Sequence, residues 1–145
     1  MMKIVFVCHA NITRSQMAAA FFNKDAPEGW RAESAGTNIK DENENDADGQ
    51  KLMDVPVSGL IFACMKEKGI DMQGAIRTAL SPAIVTNADK VVVLIPHETI
   101  PDYLKESPKT IYWDVADIET ISIEAFRSVR DQIEPLVTEF VKTLI

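Results

Sequence analysis

A cysteine and an arginine six positions apart are the residues of this chain best suited to act together in chemistry. Cys8 ends a short apolar run, Ile4–Val7, and Arg14 follows it after a five-residue gap. The β-branched and aromatic run favours a buried strand, whereas residues 16–22 are rich in helix formers. The sequence therefore predicts a strand, a tight loop and a helix, with Cys8 at the start of the loop.

Such a junction is suited to binding an anion. The first N–H groups of a helix have no intrahelical partner and its dipole is positive there. Cysteines beside helix N-termini and cationic groups ionise more readily than free cysteine, which makes Cys8 a candidate nucleophile. The planar fork of Arg14 fits a tetrahedral oxyanion, and the Ser15 hydroxyl can donate to a thiolate. The expected backbone donors to the substrate belong to His9, Ala10, Asn11, Ile12, Thr13 and Ser15.

Composition limits the classes of function. A chain of 145 residues predicts one domain, residues 1–145, and a net charge of −7 argues against a nucleic-acid partner. No apolar run approaches the ~20 residues of a membrane span, and the apolar start is too short for a signal peptide. Two cysteines do not form a disulfide framework, and a reactive thiol favours a reducing compartment. We therefore expect a cytoplasmic protein without a membrane partner.

The remaining pattern predicts an α/β fold. Strands are expected at 30–35, where Gly36 ends the strand, at 89–95 and at 110–113. Helices are expected at 57–68, from Pro82 onward with Ser81 as the N-cap, and at 122–144. Pro135 should kink or split the last helix. Strands that alternate with helices call for a four-stranded parallel sheet with helices on both faces, a three-layer sandwich.

Several residues between these elements carry side chains that chemistry can use. Residues 38–54 hold six carboxylates and predict a solvated or mobile loop, but their spacing is not that of a calcium loop. We expect no metal and no cofactor. Cys64 is expected in the core, with a resolving thiol for Cys8 as the alternative. Arg77 is expected on the solvated surface, with an approach to the anion site as the alternative, and His97 in an ordinary loop, with a place near the active site as the alternative.

The string Val-Cys-x-x-Asn-x-x-Arg-Ser at 7–15 resembles the phosphate-binding loop of the low-molecular-weight protein tyrosine phosphatase family, a superfamily that also contains thioredoxin-coupled arsenate reductases. Ser-Ala-Gly-Thr at 34–37 extends the resemblance, which covers about 3–37 and 56–143 and leaves 38–54 as an acidic insertion. It implies the strand order 2-1-3-4. The chain departs from the family at Ala10, where glycine is usual and where a methyl group narrows the loop if φ is positive, and at Thr13, where cysteine is common.

The resemblance implies phosphomonoester hydrolysis through a phosphocysteine on Cys8, with Arg14 stabilising the transferred group. Its general acid is an aspartate followed by proline after the last strand, which corresponds to Asp117, with Ile118 in place of proline and Asp114 as the second candidate. The implied substrates are a phosphorylated protein or a small phosphomonoester, and oxyanions such as phosphate should bind.

Two other functions stay open. Arg14-Ser15-Gln16-Met17 and residues 126–133 resemble the arsenate-reductase branch, but the further cysteines of its thioredoxin-coupled members are missing after the third strand, so an external thiol would have to act on Cys8. The third hypothesis is a non-catalytic oxyanion-binding protein that keeps the loop without efficient proton donation.

Overall fold

A computed structural model describes all residues from 1 to 145 and is built around the strand that ends in Cys8. This strand, β1 (Met2–Cys8), is one of four in a parallel sheet with β2 (Trp30–Gly36), β3 (Lys90–Val93) and β4 (Thr110–Tyr112). Their order is β2-β1-β3-β4, as the resemblance implied. β1 is thus an inner strand between β2 and β3. The chain adds β2 on one side of β1 and then β3 and β4 on the other side.

The side chains of β1 alternate between two cores. Ile4 and Phe6 lie on one face of the sheet with α1 (Arg14–Asp25), α2 (Ser58–Lys66) and α5 (Ile123–Lys142), whereas Val5 and Val7 lie on the other with α3 (Pro82–Asn87) and α4 (Asp102–Lys105). The three-layer α/β prediction is therefore confirmed. None of the helices combines the length and the apolar character that crossing a membrane requires.

Local signals set the helix boundaries. The Ser81 side chain accepts a hydrogen bond from the N–H of Ile84 at 3.3 Å, and that of Ser122 accepts one from the N–H of Ala125 at 3.2 Å. Both helices begin immediately after these residues. Pro135 lies inside α5, which continues as one helix, so the predicted split is wrong.

The acidic loop, residues 38–54, is mostly exposed, as its composition predicted, but a few apolar residues attach it to the protein. Ile39, Ala47 and Leu52 are buried, and the loop ends in a 3-10 turn at Leu52–Asp54. These apolar residues attach the loop to the body of the protein, while most of its carboxylates stay exposed. The loop therefore has a fixed position beside the end of β1.

Candidate active site

The loop between Cys8 and Arg14 lies at the carboxyl end of β1. Parallel sheets bind ligands at this edge, where the connections from an inner strand diverge. Cys8 is 3% exposed, and α1 begins at Arg14 with its N-terminus over the loop. We refer to residues 8–15 as the anion loop.

The carbonyl groups of the anion loop are bonded to the surrounding protein. The Cys8 carbonyl accepts from the N–H of Thr37 at 3.0 Å, and the His9 carbonyl accepts from the N–H of Asn38 at 2.8 Å. Further along the loop, Ala10 O accepts from Arg77, Asn11 O from Gln16 Nε2 and Thr13 O from Met17 N. The segment after β2 and the first turn of α1 thus hold these carbonyls outward.

The N–H groups of the same loop have no such partners. None of the backbone N–H groups of residues 9–15 donates to a backbone carbonyl. All peptide bonds are trans, so each N–H points away from the carbonyl of its own peptide. Carbonyls that bond to the surrounding protein therefore turn these donors toward the opposite side, and together with the positive end of α1 such donors are suited to binding an anion.

A chain of hydrogen bonds aims a hydroxyl proton at the Cys8 sulfur. Ser15 Oγ lies 2.9 Å from Cys8 Sγ, and Asn11 Nδ2 donates to the same Oγ at 2.7 Å. The N–H of Thr78 donates to Asn11 Oδ1 at 2.8 Å, which fixes the orientation of that amide. Because the amide nitrogen can only donate to Ser15, the serine proton is free to stabilise a Cys8 thiolate.

Asn11, and not Ala10, adopts the left-handed conformation in the loop. Its φ is 55°, and asparagine is among the few non-glycine residues that enter this region readily. Ala10 has no positive φ, so its methyl group causes no backbone strain. Gln16, which sequence reasoning did not single out, is buried and donates to Asn11 O at 3.1 Å, to Asn11 Oδ1 at 3.2 Å and to Ile76 O at 2.9 Å.

Gly36 allows the segment after β2 to approach the anion loop. A Cβ at this position would lie 2.4 Å from the His9 carbonyl oxygen and 2.9 Å from the Asn11 nitrogen. Such distances leave no room for a side chain. The glycine is therefore required by close backbone contact and not by its φ.

Arg14 is anchored through one end of its guanidinium group. Its Nη1 donates to the Leu94 carbonyl at 3.1 Å and to the Val115 carbonyl at 3.2 Å. Nη2 lies 3.4 Å from Asp117 Oδ2. The fork is therefore fixed between the ends of β3 and β4, with Nε and Nη2 free of carbonyl acceptors and able to bind an oxyanion in bidentate fashion.

The structure brings Asp117, but not Asp114, to Arg14. Both carboxylates line a groove of about 590 Å³ that also contains Arg14, His9 and His97. Asp117 is the one within ion-pair distance, and its side chain is 67% exposed. His97 packs against Tyr112 in the wall of this groove, with ring centroids 5.4 Å apart and the rings tilted by 58°, so it lies beside the candidate site.

The other loop residues have less direct contacts. His9 Nδ1 lies 3.1 Å from Thr37 Oγ1, and Ile12 faces a second cavity of about 450 Å³ that the acidic loop also lines. Thr13 precedes α1 without forming a side-chain cap. Their backbone N–H groups, like the others of the loop, donate to no backbone carbonyl.

The expectation of a solvated Arg77 is wrong. This residue is 2% exposed, and its guanidinium group donates to the Ala10 carbonyl from inside the protein. Burial lowers the pKa of Arg77, while nearby Cys8 and Asp41 act in the opposite direction. No local sequence pattern predicts that Arg77 is buried, because the acidic loop covers its side chain only in the folded protein.

Cys64 is a core residue, as predicted. It is fully buried on α2 in the core that α1 and α5 share, whereas Cys8 belongs to the core on the other face of the sheet. Both cysteines are free, and burial raises the pKa of the Cys64 thiol. No group of three or more His, Cys, Asp or Glu side chains is arranged to hold a metal ion.

The sequence and the fold of this chain are similar to those of several known proteins. The arsenate reductase of Brevibacillus brevis is 28% identical over 145 residues, covering 97% of this chain and 94% of the relative. The structure of YwlE arginine phosphatase from Geobacillus stearothermophilus is 26% identical, with a TM-score of 0.77 over 99% of this chain and 93% of that one. The low molecular weight protein tyrosine phosphatase from T. tengcongensis shares the fold at 21% identity, with a TM-score of 0.79 and 99% of each chain covered. The family model described as low molecular weight phosphotyrosine protein phosphatase matches residues 3–145, and the chain therefore belongs to this family.

Proposed function

We propose that the protein hydrolyses phosphomonoesters through a covalent phosphocysteine on Cys8. The observation that carries the proposal is the anion loop itself. The carbonyls of residues 8–11 and 13 are hydrogen-bonded to other parts of the protein, whereas the N–H groups of residues 9–15, next to the buried Cys8, donate to no backbone carbonyl. Seven N–H groups, those of residues 9–15, and the Arg14 fork suit the equatorial oxygens of a phosphoryl group in transfer.

In the first step, the Cys8 thiolate attacks phosphorus, and an S–P bond forms as the P–O bond to the leaving group breaks. Asp117 in its acid form gives its proton to the departing oxygen, which leaves as an alcohol. The 3.4 Å distance between its Oδ2 and Arg14 Nη2 supports this role, because Arg14 is the residue proposed to bind the phosphoryl group. Ser15 Oγ, 2.9 Å from the sulfur, stabilises the thiolate before attack.

In the second step, water attacks the phosphocysteine. The Asp117 carboxylate accepts a proton from this water, a new P–O bond forms, and the S–P bond breaks. Inorganic phosphate leaves, and Cys8 returns to the thiolate. The same donors bind the phosphoryl oxygens in both steps, so one rigid loop serves the whole cycle.

The substrate in this proposal is a phosphorylated protein or a small phosphomonoester. Specificity for phosphotyrosine is not part of it, because Ile118, Glu119 and Thr120 follow Asp117 where an aromatic residue would flank the phosphotyrosine ring. A free nucleophilic thiol functions in a reducing compartment, so we assign the protein to the cytoplasm.

The second candidate is arsenate reduction, which the name of the Brevibacillus brevis relative favours. The Cys8 thiolate would form an S–As bond with arsenate as one As–O bond breaks and its oxygen leaves as water after protonation, and an external thiol would then attack the Cys8 sulfur. A mixed disulfide forms as arsenic leaves with the bonding pair as arsenite, and a second external thiol regenerates Cys8. External thiols are needed because Cys64 lies in the core on the opposite face of the sheet.

Hydrolysis of p-nitrophenyl phosphate tests the proposal, with Cys8→Ser as the variant and Cys64→Ser as its matched control. The proposal predicts turnover that Cys8→Ser abolishes and Cys64→Ser retains. Hydrolysis that persists in Cys8→Ser contradicts the covalent mechanism. Arsenate turnover with dithiothreitol or glutathione, without phosphatase activity, supports the reductase, whereas phosphate binding without either turnover identifies a non-catalytic oxyanion-binding protein.

A further inference from the structure

Arg77 is a buried cation without a carboxylate partner. It is 2% exposed and lies between α2 and α3, outside the anion loop. All four hydrogen bonds of its side chain go to neutral oxygens: two to Ala10 O, one to Lys40 O and one to Gln50 Oε1. Burying a charge is costly unless the charged group is hydrogen-bonded. These four bonds therefore indicate that the buried arginine positions the backbone groups it contacts.

One side of the Arg77 guanidinium group donates two hydrogen bonds to a single carbonyl of the anion loop. Arg77 Nε and Nη2 donate to Ala10 O at 3.1 and 3.0 Å. The peptide between Ala10 and Asn11 is trans, so holding this carbonyl toward Arg77 turns the Asn11 N–H in the opposite direction, into the loop. The direction of the Asn11 N–H is therefore set by the orientation in which Arg77 holds the Ala10 carbonyl.

The other side of the fork grips the acidic loop. Arg77 Nη1 donates to Lys40 O at 3.1 Å and to Gln50 Oε1 at 2.7 Å. The backbone is paired as well, since the N–H of Arg77 donates to Gln50 O and the N–H of Gly49 donates to Arg77 O, both at 2.8 Å. Arg77 is thus fixed by one loop while it orients the other.

We propose that Arg77 is a positioning residue for the anion site, which holds the Ala10 carbonyl outward so that the Asn11 N–H faces a bound oxyanion, and which couples the acidic loop to this geometry. Its effect on catalysis rests on the proposed phosphatase function. Its effect on oxyanion binding does not, because the donor orientation is the same whether or not the anion reacts.

The variants Arg77→Lys and Arg77→Gln test this with inorganic phosphate as the probe. Neither side chain can bond Ala10 O twice and reach both partners in the acidic loop. We expect both variants to bind phosphate, measured by calorimetry, roughly tenfold or more weakly than the wild type. In a phosphatase assay, kcat should fall by roughly 10²-fold and KM should rise by a smaller factor, because a misdirected donor affects the transition state most.

Arg130→Lys is the matched control. Arg130 is also a buried arginine, at 7% exposure, but it bonds Cys64 O, Glu67 and Asp131, away from the anion loop. This control should lose stability and keep its phosphate affinity. Equal phosphate affinities in wild-type protein and in folded Arg77 variants, or an equal loss in Arg130→Lys, would overturn the positioning role.

A measurement on the wild-type protein covers the case in which the Arg77 variants do not fold. The side-chain Nε–H resonance of Arg77 should shift when phosphate saturates the site, together with the amide resonance of Asn11, while the Nε–H of Arg130 stays unchanged. An Arg77 resonance that does not respond to bound phosphate overturns the proposal. Phosphate binding with these shifts but without hydrolysis would contradict the phosphatase function and leave the positioning role supported.

Discussion

Arg14 Nη2 lies 3.4 Å from Asp117 Oδ2 and thereby joins the first residue of α1 to the segment after β4. With the Asp117 side chain 67% exposed, this ion pair contributes little to stability. Its consequence is geometric. In the proposed reaction, the arginine that binds the phosphoryl group also attracts the carboxyl group of the general acid, and hydrogen bonds to Leu94 O and Val115 O anchor that arginine.

Asp117→Asn should therefore slow hydrolysis of an alkyl phosphate by roughly 10²–10⁴-fold, the usual contribution of a general acid. The loss should be smaller for p-nitrophenyl phosphate, whose leaving group needs less protonation. Steady-state kinetics on both substrates measure the difference. Asp114→Asn is the control, because Asp114 lines the same groove without pairing with Arg14, and it should keep near wild-type rates. Equal losses in the two variants would remove Asp117 as the acid.

Ser15→Ala should lower the reactivity of Cys8. The substitution removes the hydroxyl 2.9 Å from Cys8 Sγ, whose proton is free for the sulfur because Asn11 donates to the same oxygen. We expect alkylation of Cys8 by iodoacetamide near neutral pH to slow by roughly tenfold, as for loss of a hydrogen bond to a charged group. Ser58→Ala removes another buried serine, which bonds Met53 O at 3.3 Å, and should leave alkylation unchanged. An unchanged rate in Ser15→Ala would refute the assigned direction of the hydrogen bond.

Gly36→Ala should disturb the anion loop without changing any residue in it. The new Cβ would lie 2.4 Å from His9 O and 2.9 Å from Asn11 N, so the backbone must move. Overpacking of this kind costs about 1–3 kcal/mol, measured by urea unfolding, and phosphate affinity should fall with it. Gly59 on α2 is the control, since a Cβ there meets nothing within 4 Å and alanine should stabilise the helix by about 0.5–1 kcal/mol. Unchanged stability and phosphate affinity in Gly36→Ala would contradict the close contact.

The parts of the site that the sequence predicted are those with local signals. Cys8 ends a β-branched run and Arg14 begins a helix-forming segment, so the strand, loop and helix could be placed from neighbouring residues alone. The parallel sheet with helices on both faces followed from the alternation of strands with helices. Its strand order came from the family resemblance.

Arg77 and Gln16 could not be placed in the same way. Arg77 bonds Ala10, Lys40 and Gln50, and Gln16 bonds Ile76. These partners are distant in sequence, and only the folded acidic loop buries the arginine. A charge in a loop usually lies in solvent, so the common expectation failed where tertiary contacts decide burial. The exposure of the acidic loop was predicted from its carboxylates, whereas its attachment through Ile39, Ala47 and Leu52 was not.

Acid should weaken the contact between α2 and α5 through Glu67. Hydrogen bonds from Arg127 and then Arg130 lower the pKa of Glu67 from its ordinary 4.5 to about 2. Because the folded-state pKa is depressed, the stabilisation by ionised Glu67 is complete above pH 4.5 and is lost as the pH falls toward 2. Glu67→Gln should accordingly be less stable than the wild type at pH 7, with the difference shrinking steadily as unfolding is measured at pH values down to about 2. Glu134→Gln is the control, because Glu134 forms a single salt bridge with Lys68 at 3.0 Å and its variant should show a much smaller pH-dependent difference. A stability difference for Glu67→Gln that stays constant from neutral to acid pH would show that its contacts do not depend on the carboxylate charge.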